Sequence, residues 1–195
     1  MNQTLNELFQ QNKGYLHSAS IGGKRQLYYE LNNWIEAGKV IKVKRGLYRH
    51  TDFAEEASWG EVCRSATQGV VCMFSAWQFY QLTTTVSPEV HLAIPVRKKP
   101  ALPDFPPVQV YFWSAGYYSI GVTESEFNNE KIRIYDLEKS VCDAVRYRNK
   151  IGTEILNEVL RNYLKRKDRN LDKLMKYAVQ LRISKTMQNY IQLLL

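Results

Sequence analysis

The feature that most constrains this chain is a change of periodicity between residues 24 and 50. From Lys24 to Ala37 the apolar residues Leu27, Leu31, Trp34 and Ile35 fall at i, i+4, i+7 and i+8, one stripe of an amphipathic helix. Gly38 stands where such a helix takes its C-terminal cap. The period then shortens to that of strands. Val40, Ile41 and Val43 read as one strand, Leu47 and Tyr48 as a second, with Lys44-Arg45-Gly46 as the tight turn between them. Upstream, Leu5, Leu8 and Phe9 share one face of a short helix expected from Thr4 to Asn12 and ended by Gly14. The segment between Gly14 and Lys24 holds Ser18, Ser20 and Gly22-Gly23, and is too short for a full helix. Helix, short helix or turn, helix and two-stranded ribbon is the order of a winged helix-turn-helix.

Charge concentrates in the same stretch. Residues 1–50 carry eight cations (Lys13, Lys24, Arg25, Lys39, Lys42, Lys44, Arg45, Arg49) against Glu7, Glu30 and Glu36, a net +5 of the chain's +8. A quarter of the sequence thus holds most of the excess, as a module for a polyanion would. At about 100° per residue, the side opposite the apolar stripe carries Arg25, Gln26, Tyr29, Asn32, Asn33 and Glu36. In a major groove Arg reads guanine, and Asn or Gln reads adenine. Lys24 at the helix tip reaches a phosphate. Lys42, Lys44, Arg45 and Arg49, on or beside the hairpin, suit a neighbouring backbone or minor groove. The candidate DNA-binding set is therefore Lys24, Arg25, Gln26, Tyr29, Asn32, Lys42, Lys44, Arg45 and Arg49.

A polar, acidic joint (Thr51, Asp52, Glu55, Glu56) separates an expected first domain, 1–50, from a second, 55–195. In the second, residues 58–82 read as helix in pieces around the β-rich pair Val70-Val71. Strands are expected at 90–94, 108–113, 117–122 and 131–135, and prolines 95, 100, 103, 106 and 107 mark a rigid loop between the first two. Helices are expected over 137–147, 153–166, 169–181 and 184–194. An apolar share of 45% suffices to bury a core. The expected fold class is α+β: an N-terminal winged helix-turn-helix, then a mixed α/β C-terminal domain ending in helices.

The second domain lacks the marks of catalysis. A nucleotidyltransferase needs carboxylates two apart after a Gly-Ser turn to hold Mg²⁺; Glu124-Ser-Glu126 has the spacing without the turn and reads as a solvated loop. No acid stands two residues before a lysine, as in common metal-dependent nucleases, and no Walker loop is present. His17, His50 and His91 are scattered, and His91, alternating with Val90 and Leu92, reads as structural. Asp136 reads as a helix N-cap, and Asp143 as a solvated charge or a partner for Arg146. The run Asn162 to Arg169 is a second basic cluster, either the solvated end of a helix or an extension of the DNA footprint. Cys63, Cys72 and Cys142 have no CxxC spacing and fit a reducing cytosol. The start has no signal-peptide plan, and no apolar run suits a membrane span. The expectation is a cytoplasmic protein that is not an enzyme and needs no cofactor or metal. Aromatic residues Tyr111, Phe112, Trp113, Tyr117 and Tyr118 leave open a second reading, a winged-helix regulator whose C-terminal domain senses a small ligand.

Three stretches resemble AbiEi-type antitoxins. The run from Arg25 to Tyr48, closing on Arg45-Gly-Leu-Tyr48, is similar to that family's winged helix. Ser87 to Pro95 resembles the strand after its central helices. Ile132 to Val145 resembles its later strand and helix, where an acidic residue pairs with a following Asp. The resemblance implies an antitoxin of a type IV toxin–antitoxin, or abortive infection, system that serves in phage defence. Its N-terminal domain would act as a transcriptional repressor of its own operon, binding double-stranded DNA at inverted repeats. Its C-terminal domain would counteract a nucleotidyltransferase-like toxin without a stable complex. The protein would be a monomer in solution that pairs on DNA.

Overall fold

The computed structural model describes residues 4–12, 14–52, 59–103 and 106–194, and for Lys44 the backbone alone. Lys13 and the Glu55 and Glu56 part of the acidic joint lie outside the described residues. The architecture is mixed α+β with two sheets.

Helix α1 (Leu5–Gln11) starts on a capping box: the Glu7 N–H donates to Thr4 Oγ1 (3.3 Å) and the Thr4 N–H to Glu7 Oε2 (3.1 Å). Strand β1 (Tyr15–His17), a 3₁₀ turn (Ser18–Ile21), helix α2 (Arg25–Glu36) and the hairpin β2 (Val40–Lys44) and β3 (Leu47–His50) follow. So the segment after Gly14, which the sequence left as an unassigned turn, supplies a strand. Three residues are too few to show a period. The antiparallel order β1-β3-β2 lets one sheet face, through Leu16, Val40 and Tyr48, close over Leu5, Leu8, Phe9, Ile21, Leu27 and Leu31. Trp34 and Ile35 pack at the margin, half-buried. Gly46 makes the hairpin turn at φ +79°, and a Cβ there would meet Ser18 Oγ at 2.9 Å.

The remaining chain builds a five-stranded sheet, order β6-β5-β4-β8-β7, from β4 (Val70–Val71), β5 (Val90–Pro95), β6 (Val108–Trp113), β7 (Val122–Phe127) and β8 (Glu130–Tyr135). Pairs β5·β6 and β4·β8 are parallel; β4·β5 and β7·β8 are antiparallel. Strand alternation divides the apolar residues between two layers. Val71, Val90, Leu92, Ile94, Ile132 and Ile134 face helix α3 (Trp59–Ser65), which brings Val62 and Ala66. Val70, Ala93, Trp113 and Tyr135 face helices α4 (Met73–Phe79), α5 (Ala115–Tyr118), α6 (Leu137–Arg146), α8 (Thr153–Lys165), α9 (Leu171–Gln180) and α10 (Ser184–Leu194). A single turn, α7 (Arg148–Ile151), joins α6 to α8. Among the described residues no helix is long and apolar enough to cross a membrane.

One expected strand is displaced. Tyr117 and Tyr118 lie in α5, their N–H groups donating to the Ser114 carbonyl (3.0 and 2.8 Å), and the strand begins only at Val122. Its far end is set by Asn128 and Asn129, both at positive φ (50° and 60°), a two-residue hairpin turn of the kind Asn tolerates. Glu124-Ser-Glu126 is accordingly strand and not loop. Glu124 sits across from Arg133 and Glu126 across from Lys131, which favours this register electrostatically.

Candidate nucleic-acid interface

Helix α2 carries an exposed polar face whose charges have no salt-bridge partner among the described residues. Leu27 and Leu31 are buried, while Arg25, Gln26, Tyr29, Asn32, Asn33 and Glu36 are all exposed, as their angular positions require. Tyr29 stands 70% exposed. Lys24 occupies the N-cap position and is exposed, and no side chain caps the first turn. The helix is steadied from its flank by Tyr28, whose hydroxyl donates to the Ser18 carbonyl at 3.1 Å.

The hairpin adds Lys42 and Arg45, both exposed. Lys42 pairs with Tyr48, so it lies on the sheet face that packs against α1 and α2. Lys44 pairs with Leu47 beyond a bulge at Val43; its side chain lies outside the described residues. Arg49 parts from this group. Alternation along β3 turns it away from α2, to the face carrying Tyr15, and its guanidinium lies 3.9 Å from Glu61 of α3.

Glu61 belongs to a polar joint between the small sheet and α3. The Tyr15 hydroxyl donates to it at 3.0 Å, Arg64 stacks 3.6 Å over the Tyr15 ring, and Arg64 also pairs with Glu130 at 2.6 Å. Burial pushes the Glu61 carboxyl above its usual range, against the Tyr15 hydrogen bond and the pull of both arginines. Burial raises the Tyr15 hydroxyl to about 12, which keeps it a donor. No periodicity signals this joint, because its parts come from four separate segments, β1, β3, α3 and β8.

Polar groups deeper in the second sheet are consumed internally. His91 is buried, with Nε2 2.9 Å from Ser87 Oγ and Nδ1 2.9 Å from the Tyr111 hydroxyl; burial lowers it to about 4, a neutral structural histidine. Asp136 caps α6, accepting from the Lys139 N–H at 2.9 Å. Asp143 is neither solvated nor Arg146's partner. It is fully buried, 2.6 Å from Lys139 Nζ, and accepts a hydrogen bond from the Tyr117 hydroxyl. Asp136 also pairs with Lys173 (3.0 Å) and Tyr177 (2.9 Å), so the side chains that engage the two carboxylates differ, although Lys139 meets Asp136 through its backbone. Lys139, also fully buried, lies within 4.4 Å of the ring centroids of Trp113, Tyr117 and Tyr135. Trp113 and Tyr117 are thereby core residues, whereas Phe112 faces solvent. In the basic tail, Arg166 is engaged by Asp168 and the Tyr80 carbonyl, each at 2.8 Å, while Lys165, Lys167 and Arg169 are exposed. Among the described residues no group of three or more His, Cys, Asp or Glu could hold a metal ion. No protein-family model matches the chain, and no curated protein matches its sequence.

Proposed function

We propose that residues 5–50 form a winged helix that binds double-stranded DNA, with α2 in the major groove and the β2–β3 hairpin as the wing. The observation that carries this reading is the exposed face of Arg25, Gln26, Tyr29 and Asn32, opposite the buried stripe of the same helix and beside exposed Lys42 and Arg45. The element order and the β1-β3-β2 sheet support it, with the 3₁₀ turn in place of a second helix. Lys24 and the uncapped first turn of α2 suit a phosphate. Arg49 is omitted from the DNA-binding set because it serves the joint with Glu61.

On the resemblance to AbiEi-type antitoxins rests the wider proposal. The protein represses its own operon at inverted repeats and, through the chain beyond residue 55, counteracts a nucleotidyltransferase-like toxin in the cytoplasm, without catalysis of its own. One variant tests both halves. Arg25→Glu with Arg45→Glu should abolish the gel shift of the protein's own promoter and still relieve growth arrest by the toxin encoded beside it. Wild-type affinity should fall with salt by about 0.9 log units per log unit of salt for each phosphate contacted. An unchanged gel shift removes the interface; a variant that binds no DNA and rescues no cells removes the division of labour.

A further inference from the structure

We propose that strand β6 is a self-association edge, pairing antiparallel with β6 of a second copy of this chain about a two-fold axis, in contrast to the monomer in solution that the family resemblance implies.

The five-stranded sheet ends on β6 at one side and on β7 at the other, and the two edges are built differently. Strand β7 reads Val-Thr-Glu-Ser-Glu-Phe, with Glu124 and Glu126 exposed. Charges on an edge strand discourage pairing with another chain. Strand β6 reads Val-Gln-Val-Tyr-Phe-Trp and carries no charge, proline or glycine. Pro106 and Pro107 stop just short of it.

Its backbone is open on the outer side. The Val90 N–H donates to the Pro107 carbonyl (2.9 Å) and the Val96 N–H to the Trp113 carbonyl (3.0 Å), which fixes the parity of the parallel ladder. Residues 107, 109, 111 and 113 turn their peptide groups to β5; those of Val108, Val110 and Phe112 therefore point away from the sheet. Among the described residues these outward groups meet no backbone partner, and the Val110 carbonyl receives only the Gln109 side-chain amide at 3.4 Å. Such a row is a template for one more strand.

Self-complementarity selects a second copy as the occupant. Antiparallel pairing centred on Val110 sets Val110 against Val110, Val108 against Phe112 and Gln109 against Tyr111. The residues that meet as hydrogen-bonded pairs, 108, 110 and 112, are those with free outward groups. No like charges meet, whereas the same operation on β7 crowds Glu124 and Glu126 of two copies together. Strand β6 itself brings no charge to such a pairing, although the chain carries a net +8 and Arg97, Lys98 and Lys99 follow β5 at one end of this edge. Phe112 (54% exposed), on β6 opposite Ile94, and Val96 (50%), in the turn just past β5, stand at the end of this edge and add apolar surface.

Strand pairing alone buries little area, so the dimer is weak, with a dissociation constant on the order of tens of micromolar. The test is sedimentation of the full chain over a concentration series without nucleic acid, which separates this inference from DNA binding. Val110→Pro removes an N–H that the protein's own sheet does not use, and edge strands tolerate proline. Phe112→Lys gives β6 a charge like those of β7. Wild type should dimerise, and each variant should weaken association by about tenfold or more at unchanged circular dichroism. If Val110→Pro fails to fold, Phe112→Lys decides, because that side chain already faces solvent. A wild type that stays monomeric to several times the expected constant overturns the proposal and leaves the edge to a foreign strand. So does a folded variant that dimerises as tightly as wild type.

Discussion

Helices α2 and α6 both carry charges, and they use them in opposite ways. On α2, Arg25 and Glu36 are exposed and have no salt-bridge partner among the described residues; the fold would lose almost nothing without them. On α6, Glu138, Lys139 and Asp143 are buried and each is engaged: Glu138 by Lys173 (3.2 Å) and the Asn170 N–H (3.1 Å), Lys139 and Asp143 by one another. Burying a charge is tolerable only where a partner replaces water. The buried charges of α6 are therefore committed to the fold, and the exposed ones of α2 remain available to something outside it.

The sharpest way to break this contrast is to remove one member of the α6 pair. Asp143→Leu leaves the Lys139 ammonium buried among Trp113, Tyr117 and Tyr135 without its carboxylate, and should cost about 3–5 kcal/mol in urea unfolding. The double variant Lys139→Met with Asp143→Leu should recover most of that loss, since apolar replacement of a whole buried pair is often neutral. If Asp143→Leu alone is mild, the α6 charges are no more structural than those of α2. Alanine at Arg25 or Asn32 should change stability by no more than about 0.5 kcal/mol.

A second break point is acid. The His91 ring is held neutral, with burial lowering it from its ordinary 6.5 to about 4. A group with a depressed folded value contributes stability above its unfolded value and loses it as pH falls toward the folded one. Wild type should therefore lose about 3 kcal/mol between pH 6.5 and 4 relative to His91→Gln. Parallel stability profiles for the two proteins would show that this histidine is already solvated.

What the sequence conveyed about these regions follows from how many neighbours matter. The α2 stripe, the hairpin, the Asp136 cap and most later helices are local patterns, visible in single segments. The burial of Asp143 is invisible in the sequence because α6 is buried around its whole circumference from Leu137 to Val145, so no wheel shows which charges meet solvent. The Lys139–Asp143 spacing of four was the available signal. The sequence places the strand at 117–122 rather than Val122–Phe127 because Tyr117 and Tyr118 carry high strand propensity, and tertiary contact overrides it: the Tyr117 hydroxyl reaches Asp143 and the Tyr118 hydroxyl the Gln68 carbonyl. Arg49 stands beside the hairpin cations in sequence, whereas its parity along β3 sends it to α3.

Glu61 sits where the two regimes meet, and it should give the smallest effect and the finest discrimination. Its neighbours are Tyr15 and Arg49 from the small sheet, Arg64 from its own helix and Glu130 from β8. Desolvation outweighs the two arginines and the Tyr15 hydrogen bond, so its folded value lies above the ordinary 4.5. A raised folded value means the contribution is complete below about 4.5 and is lost as pH rises through the folded value. Glu61→Gln keeps an acceptor for Tyr15 and removes that titration. Its stability relative to wild type should therefore rise with pH above 4.5 and then level off, by less than the His91 effect because Arg49 and Arg64 offset part of the burial cost. The opposite slope would mean that the arginines dominate. The joint would then be an ion pair of the α6 kind, holding the small sheet against α3, and Glu61→Gln would loosen that contact rather than settle it.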